Sequence, residues 1–184
     1  MSIEKCKVLL TIARATIARH FGLVAEADES APWLAEPGAT FVTLTQHGNL
    51  RGCIGSLEAH RPLLEDVKAN ALAAAFRDPR FPPLTVEEFP ATHVEISLLS
   101  PLQAIGCCDE SDACAQLRPF EDGVVLEYGW RRGTFLPQVW EQLPGRAEFM
   151  AHLKGKAGLP ADFWADDIKL YRYTVSKWKE ANAS

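Results

Sequence analysis

Residues 39–54 read as two short strands joined by a tight turn, and that hairpin constrains the fold more than any other stretch. Ala39 to Thr45 is rich in Phe, Val, Thr and Leu, residues that suit a pleated, half-buried surface. Gln46-His47-Gly48-Asn49 offers Gly and Asn for the positive-φ positions of a short turn, and Leu50 to Ile54 returns as the second strand. Strands that come in hairpins lack the βαβ alternation of a doubly wound sheet. The expected class is therefore α+β with mainly antiparallel sheet.

The rest of the chain fits that class. Apolar residues from Ile3 to Phe21 fall near helical spacing, with Gly22 as a stop. Pro62 stands where a second helix can begin, and Leu63, Leu64, Val67, Ala71, Ala74 and Ala75 give it a buried face that ends near Phe76. Thr92 to Leu99 alternates, with His93, Glu95 and Ser97 on one side and Val94, Ile96 and Leu98 on the other. Asp109 to Leu117 reads as a short helix and Gly123 to Tyr128 as a strand, followed by a turn at Arg131-Arg132-Gly133. A helix spans Ala147 to Ala157, and a last strand runs from Lys169 to Val175 with Tyr171, Tyr173 and Val175 on one face.

With 184 residues there is room for one domain or two small lobes, and no disulfide is needed to hold a core of that size. The formal charge of −5 argues against a nucleic-acid partner, though it leaves room for a small anion in a basic pocket. No apolar run approaches a membrane span, and the charged start, Glu4-Lys5-Cys6-Lys7, is unlike a secretory signal. The five cysteines include no CxxC pair, so the expectation is a cytoplasmic protein with reduced thiols. Cys107, Cys108 and Cys114 lack a nearby histidine and a fourth ligand, and no metal site is expected there. Nucleotide-binding glycine loops, HExxH and the G-x-S-x-G elbow are all absent.

Leu50-Arg51-Gly52-Cys53-Ile54-Gly55 is the unusual stretch. Two glycines weaken a strand, so they point to close backbone approach by a ligand or by another element. A period of two puts Arg51 and Cys53 on one face, where a guanidinium would favour thiolate over thiol. Residues alone allow either a reactive thiol with an anion pocket or a core cysteine beside a structural arginine. Asp78-Pro79-Arg80-Phe81 either brings Arg80 to a cleft or ends a helix with an internal Asp–Arg pair. Glu95 needs a cation if it is buried, and Arg51 or Arg80 could supply it. Of the histidines near this region, His60 is the best placed for acid–base work and His47 falls in a turn.

Phe41-Val42-Thr43-Leu44 followed by Gly48-Asn49-Leu50-Arg51-Gly52-Cys53-Ile54-Gly55 strongly resembles the AMMECR-one domain, the A protein of the AmmeMemoRadiSam system. Asp78-Pro79-Arg80-Phe81, Glu95-Ile96-Ser97-Leu98-Leu99-Ser100, Phe135-Leu136-Pro137-Gln138-Val139-Trp140 and Lys156-Ala157-Gly158-Leu159 match in the same order. The resemblance implies one domain over residues 1–184, built as two unequal lobes around a cleft that holds the Leu50–Gly55 motif. It also implies a pathway shared with a Memo-like protein and a radical-SAM protein. It names no cofactor and no reaction. The leading expectation is a cleft protein for a small anionic or carbonyl substrate. Arg51 and Arg80 would bind it, and Cys53, Glu95 and His60 would act on it. The competing expectation is a non-catalytic interaction module for the same two partners.

Overall fold

The computed structural model describes residues 3–180, which divide into two compact units, 3–99 with 176–180, and Ser100–Val175. Along the chain run α1 (Ile3–His20), β1 (Thr40–Gln46), β2 (Asn49–Gly55), α2 (Leu63–Phe76), β3 (Thr92–Leu99), β4 (Gln103–Ile105), α3 (Glu110–Gln116), β5 (Gly123–Tyr128), β6 (Arg131–Phe135), α4 (Arg146–Lys156), β7 (Lys169–Tyr173) and β8 (Val175–Lys179). The fold is α+β, as the hairpin pattern predicts. Among the described residues no helix is long and apolar enough to cross a membrane.

The first unit is a four-stranded sheet of order β2-β1-β3-β8, with α1 and α2 packed on one face. The two-residue turn His47-Gly48, with φ of 50° and 81°, joins β1 to β2. Such a turn matches the twist of its flanking strands. Alternation sends Val42, Leu44, Val94 and Ile96 into the core, each fully buried, against Leu9, Ile12, Ile17, Val67, Ala71 and Ala74 of the helices. Pro62 lies one position before α2, and Leu63 N–H donates to the Glu36 carbonyl at 2.8 Å.

The second unit is a sheet of order β4-β7-β5-β6 with a core around Trp140, which stacks on Phe149 at 3.7 Å. Trp140 Nε1 donates to the Asp122 carbonyl at 2.8 Å, so the buried indole keeps its hydrogen bond. Here the structure departs from the sequence reading in two places. Arg131-Arg132-Gly133 is strand, because Gly129, at φ 58°, lets the chain reverse earlier. The strand read from Lys169 to Val175 ends at Tyr173: β7 pairs with β5, and β8, from Val175 to Lys179, joins β3 in the first unit. A run such as Tyr171-Arg172-Tyr173-Thr174-Val175-Ser176, apolar and polar in alternation, carries no mark of which sheet each half will join.

Candidate functional site

The register of the first sheet assembles the candidate residues. Thr43 of β1 lies opposite Cys53 on one side and Glu95 on the other. Since Val42, Leu44, Val94 and Ile96 face the helices, Thr43, Cys53 and Glu95 form a row across the opposite face, partly exposed. Thr43 Oγ1 donates to Cys53 Sγ at 3.3 Å and orients the thiol. The Glu95 carboxylate has no hydrogen bond or ion pair among the described residues. Trp178 of β8 packs into the core, so Lys177 and Lys179 alternate onto the same open face as Glu95.

β2 is an edge strand, and an ion pair stands where a neighbouring strand would be. Cys53 N–H donates to Asp78 Oδ2 at 2.8 Å, and Arg80 Nη2 donates to the Cys53 carbonyl at 3.2 Å. Arg80 also grips both carboxylate oxygens, Nε on Oδ1 at 2.9 Å and Nη2 on Oδ2 at 2.7 Å. Asp78 is 2% exposed and Arg80 53% exposed, so one partner is anchored and the other faces solvent. Both backbone groups of Cys53 are satisfied without a further strand, which also blunts the edge. Of the two readings that the sequence left open for this turn, the internal Asp–Arg pair is formed, and it also contacts Cys53.

The Arg80 guanidinium beside Asp78 holds that carboxyl well below the usual range, helped by the N–H groups of Cys53 and Arg80. A depressed carboxyl contributes stability above its unfolded-state value of 3.8, and that contribution is lost as pH falls. The urea midpoint of the wild-type protein should therefore drop between roughly pH 4 and pH 2. An Asp78→Asn protein should be less stable at neutral pH and lose less over that interval. Equal slopes would show that the pair contributes nothing to acid sensitivity.

Arg51 is placed differently from the sequence expectation. The register passes from Leu44↔Gly52 to Thr45↔Leu50, so Arg51 is the extra residue of a bulge and the strict period of two breaks there. Its guanidinium is 9% exposed and fully engaged. Nε and Nη2 donate to Glu88 at 3.2 and 3.0 Å, and Nη1 donates to the Pro82 carbonyl at 2.9 Å. This hydrogen-bonded guanidinium lowers the Glu88 carboxyl. Arg51 thus ties β2 to the chain after α2, and Glu95 meets neither Arg51 nor Arg80.

The two glycines also find structural reasons. A Cβ on Gly52 would come within 2.1 Å of the Ala74 carbonyl oxygen, and one on Gly55 within 2.3 Å of the Phe41 ring. The close approach is by another element, α2 or a neighbouring side chain. His60 is exposed in the loop after β2, and no hydrogen bond joins it to Cys53.

The sequence reading missed a buried polar cluster under the same hairpin. Asp66 is fully buried, and its carboxylate accepts from Thr40 N–H and Oγ1 at 2.7 Å each, Ser56 Oγ at 2.6 Å, Arg61 Nε at 2.8 Å and Asn70 Nδ2 at 3.0 Å. It ties the start of β1 and the residue after β2 to α2. A carboxylate inside an alanine-rich helix was the only available signal.

The other thiols are less suited to chemistry. Cys6 is buried, and burial pushes the Cys107 and Cys114 thiols up. Among the described residues no group of three or more His, Cys, Asp or Glu is placed to hold a metal ion. A cavity of about 490 Å³ opens at the start of α1, lined by Glu4, Lys5, Lys7, Val8 and Trp33, and shares no residue with the Cys53 face.

Comparison with known proteins agrees with the motif pattern. The AMMECR1 family matches residues 10–178. Protein MJ0810 of Methanocaldococcus jannaschii is 36% identical over 189 residues, 98% of this chain and 92% of its own length. A protein of Thermotoga maritima is 39% identical over 164 residues, 87% of this chain and 89% of its own. The crystal structure of PH0010 from Pyrococcus horikoshii has a TM-score of 0.77 at 32% identity, covering 98% of this chain and 93% of that one.

Proposed function

The chain belongs to the AMMECR1 family, and on that footing we propose that it binds a small anionic or carbonyl-bearing molecule at Cys53 and acts on it. The observation that supports this is the setting of one thiol. Cys53 is partly exposed, oriented by Thr43, locked through its backbone by Asp78 and Arg80, and followed across the sheet by an unpaired Glu95. In this reading the Arg80 guanidinium, which faces solvent, takes the negative group. Cys53 Sγ adds to the carbonyl carbon, the π pair moves to the carbonyl oxygen, and the thiol proton ends on that oxygen with Glu95 as relay. Arg51 supports the strand and His60 stays outside. The protein would work in the cytoplasm as a single domain, in a pathway with a Memo-like and a radical-SAM protein.

Peptide-mapped labelling with iodoacetamide tests it. Cys53 should alkylate in the native protein, and Cys53→Ser should remove that label while shifting the Tm by no more than about 2 °C. Labelling only after unfolding, with a stability loss in Cys53→Ser, would sink the proposal. The second reading, a non-catalytic interaction module, is favoured by Trp130, 89% exposed at the β5–β6 turn. Unlabelled Cys53 together with a Memo-like complex that survives Cys53→Ser would move the weight to it.

A further inference from the structure

Asp78 touches no open surface, yet it holds both the amide of Cys53 and the guanidinium that faces solvent beside it. We infer that Asp78 is a positioning residue: it fixes the Arg80 charge at the Cys53 thiol, so that an anionic reactant is drawn to that sulfur. This rests on the reading of Cys53 as the reacting group. Arg80 alone would not stay there. Its side chain is long, half-exposed and rotamer-rich, and its single bond to the Cys53 carbonyl, at 3.2 Å, is longer than those to Asp78. The two-point grip on a buried carboxylate removes that freedom. Pro79 stiffens the backbone between the two partners, and Arg80 N–H donates to Asp78 Oδ1 at 3.1 Å, closing the turn. The guanidinium also lies 5.5 Å from the Phe81 ring, a further contact on its flank.

The two partners carry opposite charges, and this gives the inference a distinctive sign. Removing Asp78 deletes a negative charge near Cys53, so bulk electrostatics alone would raise the preference of that thiol for an anionic reagent. If the function of Asp78 is to hold Arg80 in place, the preference falls instead. Simple loosening of β2 would speed anionic and neutral reagents alike and leave their ratio unchanged.

The test is the ratio of alkylation rates at Cys53 with iodoacetate and with iodoacetamide, mapped by peptide mass and scaled to free N-acetylcysteinamide in the same tube. A guanidinium held on the Cys53 carbonyl should give the wild-type protein a preference for iodoacetate of about threefold. In Asp78→Asn the scaled ratio should fall to that of the free thiol, and Asp78→Glu, which keeps the carboxylate, should recover part of it. Should Asp78→Asn fail to fold, Arg80→Lys reads the same quantity, because lysine has no second nitrogen for the two-point grip on the Asp78 carboxylate; its ratio should fall although the charge is kept. An unchanged or higher ratio in these variants, with a wild-type preference intact, overturns the positioning role and leaves the Cys53 reading standing. A wild-type Cys53 that labels only after unfolding overturns both.

Discussion

Gly52→Ala is expected to destabilise the protein by about 3 kcal/mol or more, read as a fall in the urea midpoint at constant slope. The added Cβ would lie 2.1 Å from the Ala74 carbonyl oxygen, a backbone atom of α2 that cannot swing away. Either the helix retreats from the sheet or β2 bends outward, and both disturb the packing of Ala71 and Ala74 on Val42 and Leu44. A fully extended glycine normally gives up chain entropy that alanine would save, so the sign here is set by the clash alone. Gly155→Ala is the matched control: that position lies inside α4 with nothing within 4 Å of the new methyl, and it should gain about 0.5–1 kcal/mol. A neutral Gly52→Ala would mean that α2 does not press on the motif, and the glycine would again need a ligand to explain it.

The second large effect is expected at Asp66. Replacing it by Ala leaves Thr40 N–H, Asn70 Nδ2 and the Arg61 guanidinium without their shared acceptor in a site closed to solvent on the carboxylate side. Removing one member of such a buried charged cluster costs about 3–5 kcal/mol. Asp66→Asn keeps the shape and one acceptor oxygen, and should lose less. Amide exchange at Thr40 separates this from a general loss of stability: its N–H should open early in Asp66→Ala, ahead of Val42 and Ile96 in the same sheet. Exchange that stays uniform across the sheet would show that Asp66 does not hold the start of β1.

Both effects bear on how the Leu50–Gly55 signature is read. Three of its residues have structural duties: Arg51 binds Glu88 and the Pro82 carbonyl, Gly52 admits α2, and Gly55 lies under the Phe41 ring. What remains for chemistry is Cys53, and its surroundings come from other parts of the chain. Strand register sets Thr43 beside it and Glu95 one strand further on, and the turn after α2 brings Asp78 and Arg80 to its backbone. Of these, Arg80 and Glu95 were legible as candidates from their motifs. Thr43 was not, because a threonine in a strand carries no chemical mark until its neighbour across the ladder is known.

Local pattern alone determined the class and most of the elements. The hairpin at 39–54, the alternation of Thr92–Leu99 and the spacing of α1, α2 and α4 follow from side-chain period and turn residues, which act within a few positions along the chain. Only the tertiary structure decided the rest: the bulge that turns Arg51 toward Glu88, the two sheets that divide 169–179 between them, and the ion pair that completes the edge at Cys53. Those outcomes depend on contacts between residues some 25 to 40 positions apart or more, where a hydrogen bond or a clash of an ångström selects among conformations that the local sequence leaves nearly equal in energy.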